Sequence, residues 1–182
     1  MPTDLSTYNN DWYQPGSFLR RGCWLLVNSL FFKSSLLPFY GLKRFWLRLF
    51  GARIGKGLVI KPGVHIKYPW LLQTGDHCWI GEKVWIDNLA MVTLGNHVCI
   101  SQEAYLFCGN HDYSKSSFDL MVKPIVLEDG VWIGARAVVC PGVIAHQHAV
   151  LAVGSVATHS IEAYTIYQGN PAQKIKQRII IS

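Results

Sequence analysis

An apolar residue recurs every six positions through most of this 182-residue chain, and few folds accommodate that period. The signal is clearest in LEDGVWIGARAVVCPGVIAHQHAVLAVGSVA, from Leu127 to Ala157. There the ruler lands on Leu127, Ile133, Val139, Ala145, Leu151 and Ala157, while the positions four further on are Val131, Ala137, Val143, Ala149, Ser155 and Ile161. Two apolar columns six apart, separated by turn-prone residues, match neither a helix of about 3.6 residues per turn nor a hairpin meander. They match a solenoid of short parallel strands, one hexad to each flat face.

Towards the N-terminus the ruler keeps its register on Ile54, Ile60, Ile66, Thr74, Ile80, Ile86, Leu94, Ile100 and Leu106. Twelve of the fifteen starts are Ile, Leu or Val, so the pattern is not a local accident. Three hexads close one triangular coil, which predicts a β-solenoid of about five coils over residues 54–161. The spacing between starts widens to eight at 66–74, eight at 86–94 and twenty-one at 106–127. Each widening follows the third hexad of a coil, so the insertions 67–73, 87–93 and 107–126 stack at one corner. Loops in a solenoid gather on the functional face, and the site is expected there.

The flanks are of another kind. Residues 1–53 hold seven Lys or Arg against Asp4 and Asp11 and carry twelve of the twenty-three aromatics. After an extended polar arm ending at Pro15-Gly16, the pattern predicts a helix from about Phe18 to Ser34, broken by Pro38 and Gly41. A second, amphipathic helix is predicted over residues 42–50, with Lys43, Arg44 and Arg48 opposite Phe45, Trp46, Leu49 and Phe50. Such helices cap the open first coil, as every solenoid requires, or lie on a membrane surface. Residues 162–182 leave the hexad rule and read as a tight turn and a short basic tail folding back over the last coil. Half the residues are hydrophobic and 15% charged, which excludes disorder. No apolar run is long enough to span a bilayer, and the polar start MPTDLSTYNNDW is no signal peptide. Five cysteines without a Cys-x-x-Cys pair suit free thiols in a reducing cytoplasm. Basic residues interleaved with Trp, Phe and Leu suit an interface better than a phosphate groove, so no nucleic-acid partner is expected.

The strings LFGARIG, WIGEKVWIDNLA, ISQEAYLFCGNHDYS, VWIGARAVVCPGV, GSVAT and GNPA occur in that order. Together they resemble the hexapeptide-repeat acyltransferases, in particular acetyltransferases of the colanic-acid type, over about residues 42–178. The resemblance implies a left-handed parallel β-helix, against the usual hand of parallel crossovers. It also implies a homotrimer with sites between neighbouring prisms, acetyl-CoA as co-substrate and a saccharide hydroxyl as acceptor.

Moving an acetyl group from a thioester to a hydroxyl needs a base that titrates near neutrality. His111 stands in the long insertion and matches the family's loop histidine; Asp112 either holds its imidazole or closes the turn. The developing oxyanion needs a fixed backbone N–H donor, and the match is Ala135. Asp87 and Asn88 open the second insertion and are placed to bind acceptor hydroxyls. For coenzyme A the resemblance points to Ala135, Val153, Thr158 and Lys176; one basic family position falls on Gln173, which shifts phosphate binding to Lys174 or Arg178. The N-terminal helices are expected to bring the enzyme to the inner face of the cytoplasmic membrane, their basic face on anionic lipid and a lipid-linked sugar as acceptor.

Two other readings compete. A γ-carbonic-anhydrase-like zinc enzyme needs three histidine ligands, and only the fragments Cys108-x-x-His111 and His146-x-His148 offer any, so no metal site is predicted. A non-catalytic scaffold would make His111 dispensable.

Overall fold

The computed structural model describes residues 2–34 and 39–181. Each hexad forms a strand of two or three residues in which the side chain at the hexad start turns inward and the residue before it sits on the outer side. The first coil is β1 (Arg53–Ile54), β2 (Val59–Ile60) and β3 (His65–Ile66). The second is β4 (Leu72–Thr74), β5 (Trp79–Ile80) and β6 (Trp85–Asp87), and the third β7 (Val92–Leu94), β8 (Cys99–Ile100) and β9 (Tyr105–Phe107). A loop carrying the antiparallel hairpin β10 (Gly109–His111) and β11 (Leu120–Val122) intervenes. The fourth coil is β12 (Ile125–Leu127), β13 (Trp132–Ile133) and β14 (Val138–Val139), and the fifth β15 (Ile144–Ala145), β16 (Val150–Leu151) and β17 (Val156–Ala157).

Corresponding strands stack in parallel into three faces: β1-β4-β7-β12-β15, β2-β5-β8-β13-β16 and β3-β6-β9-β14-β17. A sixth turn begins where Ile161 bridges to Ala145. It continues as β18 (Thr165–Gly169), parallel to β16, and β19 (Ala172–Gln177), which folds back antiparallel on β18. The winding is that of a left-handed β-helix. All three insertions join the third face to the first, at β3–β4, β6–β7 and β9–β12, so they lie on one edge as the spacing implied. The long one does not disturb the ladder, because Leu94 still pairs with Leu127.

The columns read from the sequence form the core. Ile60, Ile80, Ile100, Ile133 and Leu151 run up the inside of the second face, all buried. Corners are tight enough to dictate glycine where backbone stacks on backbone: a Cβ at Gly134 would stand 2.6 Å from the Val153 nitrogen. Corner amides are satisfied from one coil above, Asp76, Asn96 and Asp129 each accepting an N–H from the turn below.

The open lower end of the ladder decides the N-terminal cap. Backbone groups alternate along each strand, some reaching the coil above, as Val59 N–H to the Cys78 carbonyl, and some the coil below, as Ile125 N–H to the Met91 carbonyl, so the first coil has downward carbonyls with no strand beneath them. Three long donor side chains and an indole meet them. Helix α2 (Tyr40–Leu49) sends Lys43 Nζ to the Ile60 and Lys61 carbonyls at 3.3 and 3.0 Å. Its Arg44 reaches Leu58 at 2.9 Å and Arg48 reaches Ile54 and Gly55. From α1 (Phe18–Val27), Trp24 Nε1 donates to Ile66 at 2.8 Å. Lys, Arg and Trp are donor-only side chains, which is what uncovered carbonyls require.

This overturns the expected basic outer face. Lys43 is 1% exposed and Arg44 and Arg48 are spent on the first coil, while Phe45 and Leu49 of α2 and Phe18, Leu19, Leu25 and Leu26 of α1 face out. The apolar side is the free one. The first helix is also shorter than expected, ending at Val27 and passing into a π-helical turn, Asn28–Phe32. The break assigned to Pro38 lies outside the described residues. Trp46 Nε1 is buried without a partner among the described residues, and nothing in the structure explains it.

Burial holds the Lys43 ammonium down to about 8 from its ordinary 10.5. Between those values the unfolded chain keeps a proton that the folded chain has lost, so this residue's share of stability rises with pH across that window. The difference in urea stability between the native chain and Lys43→Met should therefore grow in favour of the native chain from pH 8 to 10. A flat difference means that Lys43 titrates normally. At pH 7, Lys43→Ala should cost about 1–3 kcal/mol, because two carbonyls lose their donor.

Candidate active site

The insertion edge builds a cavity of about 550 Å³ between the long loop and the N-terminal arm. His111 and Gly109 of β10 and Asp87 from the end of β6 line it together with Lys67 and Tyr68 of the first insertion. Tyr8, Asn10, Asp11 and Tyr13 close it from the arm, and Arg21 of α1 stands at its margin. Asp4 N–H donates to Ser116 of the long loop, Tyr13 Oη to the Leu89 carbonyl at 2.6 Å, and Trp70 Nε1 to Pro15. The arm is thus a wall of the site, not a loose tail. No pattern in MPTDLSTYNNDWY announces this, since the arm's partners Trp70, Leu89 and Ser116 lie far along the chain; the three aromatics among residues 8–13 were the only available hint.

His111 is held on three sides. Its ring stacks on Phe118 at 4.4 Å between centroids, nearly parallel, and Tyr8 lies tilted at 5.7 Å. Its Nδ1 is 2.9 Å from the Phe118 carbonyl. A carbonyl can only accept, so the proton of the neutral imidazole sits on Nδ1 and Nε2 carries the free lone pair. The loop therefore fixes the tautomer without a carboxylate.

Asp112 takes the other of its two expected roles. Its Oδ1 accepts from the Ser114 N–H and hydroxyl, and that hydroxyl lowers its pKa. The carboxylate closes the turn and makes no hydrogen bond to the imidazole. Asn88 is likewise corrected: it is fully buried, its Oδ1 accepting from Tyr68 N–H and its Nδ2 donating to the Tyr68 and Leu71 carbonyls. It ties the first insertion to the second and has no group left for an acceptor. Asp87 does line the cavity. Lys67 Nζ lies 2.9 Å from its Oδ1, close enough for ionic attraction but off the hydrogen-bond direction, so that oxygen is buried without a hydrogen bond. Burial, then Tyr68 and Asp87, pushes the Tyr13 phenol well above its ordinary pKa, so it remains a donor.

The other expected residues fall in two places. Ala135 and Val153 stack at the corner between the second and third faces, where Gly154 N–H donates to the Ala135 carbonyl at 2.9 Å. The N–H groups of Gly134 and Arg136 serve the ladder, whereas that of Ala135 has no acceptor among the described residues. This corner and His111 stand at opposite edges of the third face, so one prism does not bring them together. Thr158 is at the His111 edge, lining a smaller cavity of about 240 Å³ with Asn110 and Met121 of the hairpin. Of the three tail cations, Lys174 pairs with Glu162, and Arg178 donates to the Gly130 and His148 carbonyls at 2.9 and 3.0 Å. Arg178 is a clamp across the last coils and not a phosphate ligand. Lys176 is exposed and has no partner among the described residues.

Metal fragments do not converge. Cys108 is buried in the core and its thiol is raised to about 11 by burial, while His111 belongs to the loop. His146 pairs with Glu128, and His148 occupies a corner against Tyr164. No group of three metal-binding side chains occurs among the described residues. Tyr13→Phe should cost about 1 kcal/mol, the typical worth of one hydrogen bond. Limited proteolysis should then cut within residues 2–16 faster; unchanged cleavage would mean that Pro15 and Asp4 alone hold the arm.

No protein-family model matches the chain. The putative colanic acid biosynthesis acetyltransferase WcaF of Escherichia coli K12 is 36% identical over 167 residues, 92% of each chain. The solved hexapeptide-repeat containing acetyltransferase VCA0836 of Vibrio cholerae aligns with a TM-score of 0.79 at 26% identity, over 87% of this chain and 90% of that one. Its complex with acetyl coenzyme A aligns at 0.76 and 25% identity, over 89% and 88%. With a relative 36% identical over 92% of its length, the chain belongs to the hexapeptide-repeat acyltransferases, in the group that includes the colanic acid biosynthesis acetyltransferase.

Proposed function

We propose that this enzyme transfers an acetyl group from acetyl-CoA to a saccharide hydroxyl, with His111 as general base. One observation carries the reading: the Phe118 carbonyl holds Nδ1–H, leaving Nε2 as an acceptor on a residue that lines the insertion-edge cavity. The acceptor hydroxyl gives its proton to Nε2 as its oxygen attacks the thioester carbonyl, and the proton passes to the departing sulfur as the tetrahedral species collapses. Asp87, Asp11 and Asn10 supply acceptors and donors for sugar hydroxyls. The name of WcaF supports an exopolysaccharide acceptor, and the acetyl coenzyme A complex of the Vibrio protein supports the donor.

The Ala135 N–H is the proposed oxyanion donor. Because it stands on the far edge from His111, the reading requires a neighbouring prism to present its Ala135–Val153 corner to this His111, with Thr158 on the near wall and Lys176 toward the phosphates. A homotrimer arranges three such edges. Trp79 and Trp132 on the second face and Trp85 on the third are exposed on flat walls and suit burial between prisms. Five free cysteines suit the cytoplasm, and the outward apolar side of α1 and α2 suits peripheral contact with the membrane. That contact would be chiefly hydrophobic, since Lys43, Arg44 and Arg48 reach the first coil; no helix among the described residues is long and apolar enough to cross a bilayer.

His111→Ala should lower acetyl transfer by roughly 10²–10⁴-fold, the range for a lost general base, with acetyl-CoA binding by calorimetry unchanged. Near-full turnover in the mutant rejects this assignment. Light scattering should give three times the 20.5 kDa chain mass. A fully active monomer would exclude a site shared between prisms.

A further inference from the structure

A second cavity, of about 480 Å³, lies between α1 and the third face and opens beside the first. Its wall is largely apolar: Phe18, Gly22, Trp24 and Leu25 of α1, with Asn28 and His65 as its other polar members. His65 is neutral there, because burial and the nearby Lys33 hold its pKa down to about 4. Three residues line both cavities, and they are Arg21, Lys67 and Tyr68. The junction is therefore two cations and a phenol, set between a polar chamber that contains His111 and an apolar one. Both chambers have the size of small-molecule sites, about 300–1,000 Å³.

The cations at the junction are available. Arg20 is committed, donating to the Phe50 carbonyl at 2.7 Å and lying over Trp70. Its neighbour Arg21 has no side-chain partner among the described residues and is exposed. Lys67 has the misaligned contact with Asp87 and lies over the Tyr68 ring at 6.0 Å, with no hydrogen bond from its ammonium among the described residues. Glycine is also unexpected in the middle of a ten-residue helix. At Gly22 a Cβ would meet nothing within 4 Å, so a larger residue would occupy open space beside the cavity and not a packed wall.

We infer that the acceptor is a saccharide joined through a diphosphate to a hydrocarbon chain: the sugar lies beside His111, the diphosphate across Arg21, Lys67 and Tyr68, and the first part of the chain against α1. The inference rests on the acyl-transfer reading for the identity of the sugar chamber. The order polar, cationic, apolar along one continuous surface matches the order of groups in such a molecule. A nucleotide sugar shares the diphosphate but would place a polar base in the apolar chamber, and a free saccharide would leave the cations without a partner. The outward apolar side of α1 and α2 continues from that chamber, so the remainder of the chain can stay in a bilayer.

Calorimetry on the full chain tests this with farnesyl diphosphate, inorganic diphosphate and uridine diphosphate as probes. Farnesyl diphosphate should bind at least about 10-fold more tightly than the other two, a modest return for burying several apolar groups. Gly22→Leu, with an unchanged melting temperature, should weaken farnesyl diphosphate by roughly 10-fold and leave inorganic diphosphate unaffected. Leu25→Glu gives a second reading of the apolar chamber in the same direction. Arg21→Gln should weaken both by about 10-fold, through loss of a charge-assisted hydrogen bond. Equal affinity for farnesyl and inorganic diphosphate, or indifference to both Gly22→Leu and Leu25→Glu, overturns the inference; uridine diphosphate binding as tightly as farnesyl diphosphate overturns it in favour of a nucleotide sugar. These titrations do not depend on catalysis. Tight farnesyl diphosphate binding in a protein whose His111→Ala variant keeps its turnover would sink the general-base reading and leave the lipid-diphosphate site standing.

Discussion

The constraint on which the rest of the molecule depends is that the parallel ladder has open ends. In a stack of parallel coils the strand residues alternate, one directing its backbone polar groups to the coil above and the next to the coil below, so the first and last coils each leave a row of backbone groups without a neighbouring strand. At the lower end, carbonyls on all three faces are met by Lys43, Arg44, Arg48 and Trp24. At the upper end, His146 and Ala152 N–H find the Ile161 and Tyr167 carbonyls, and Ile144 N–H finds the Ser160 hydroxyl. Unpaired backbone groups at either end would cost free energy and invite strand addition by another chain. The basic, aromatic character of the N-terminal third follows from this: uncovered carbonyls call for long donors, and their apolar stems and the indole pack over the coil.

Capping in turn sets the position of α1. Trp24 pins it under the third face, Arg20 pins it to the end of α2, and the chain before Ser17 is left to run up the insertion edge. There the arm meets Leu89, Trp70 and Ser116, one contact from each of the three insertions. The candidate site is thus a joint product of cap and corner. A solenoid concentrates loops on one edge because insertions elsewhere would break the stacking of backbone on backbone, seen at Gly134. The arm then lies along those loops and supplies one wall of an open chamber.

His111 illustrates how little the first layer of chemistry asks of charged neighbours. Its tautomer is set by one carbonyl and its plane by Phe118, while the adjacent carboxylate is occupied with its own turn. A loop that orders an imidazole by a backbone acceptor needs no carboxylate at Nδ1 and leaves Nε2 without a protein partner among the described residues. Asp87 stays at the chamber wall, its Oδ1 buried beside the Lys67 ammonium without a hydrogen bond.

The hexad period by itself determined the strands, the inward columns, the number of complete coils and the edge where the insertions stack, because side-chain direction and corner placement in a solenoid are local properties repeated every six residues. The chemical type of His111 and its place in the long insertion were legible for the same reason. Tertiary structure alone decided what contacts span the chain. Lys43, Arg44 and Arg48 read as a solvent face, since amphipathic spacing cannot distinguish a basic side that meets water from one that meets an edge of carbonyls. Asp112, Asn88 and Arg178 read as site residues because their types suit that work. Their hydrogen bonds are instead filled by Ser114, by Tyr68 and Leu71, and by Gly130 and His148, and side-chain direction toward such partners is set by packing and not by sequence spacing. The arm residues Tyr8 and Tyr13 and the junction of Arg21 and Lys67 were invisible for the complementary reason: no local period records a segment that folds over loops formed much later in the chain.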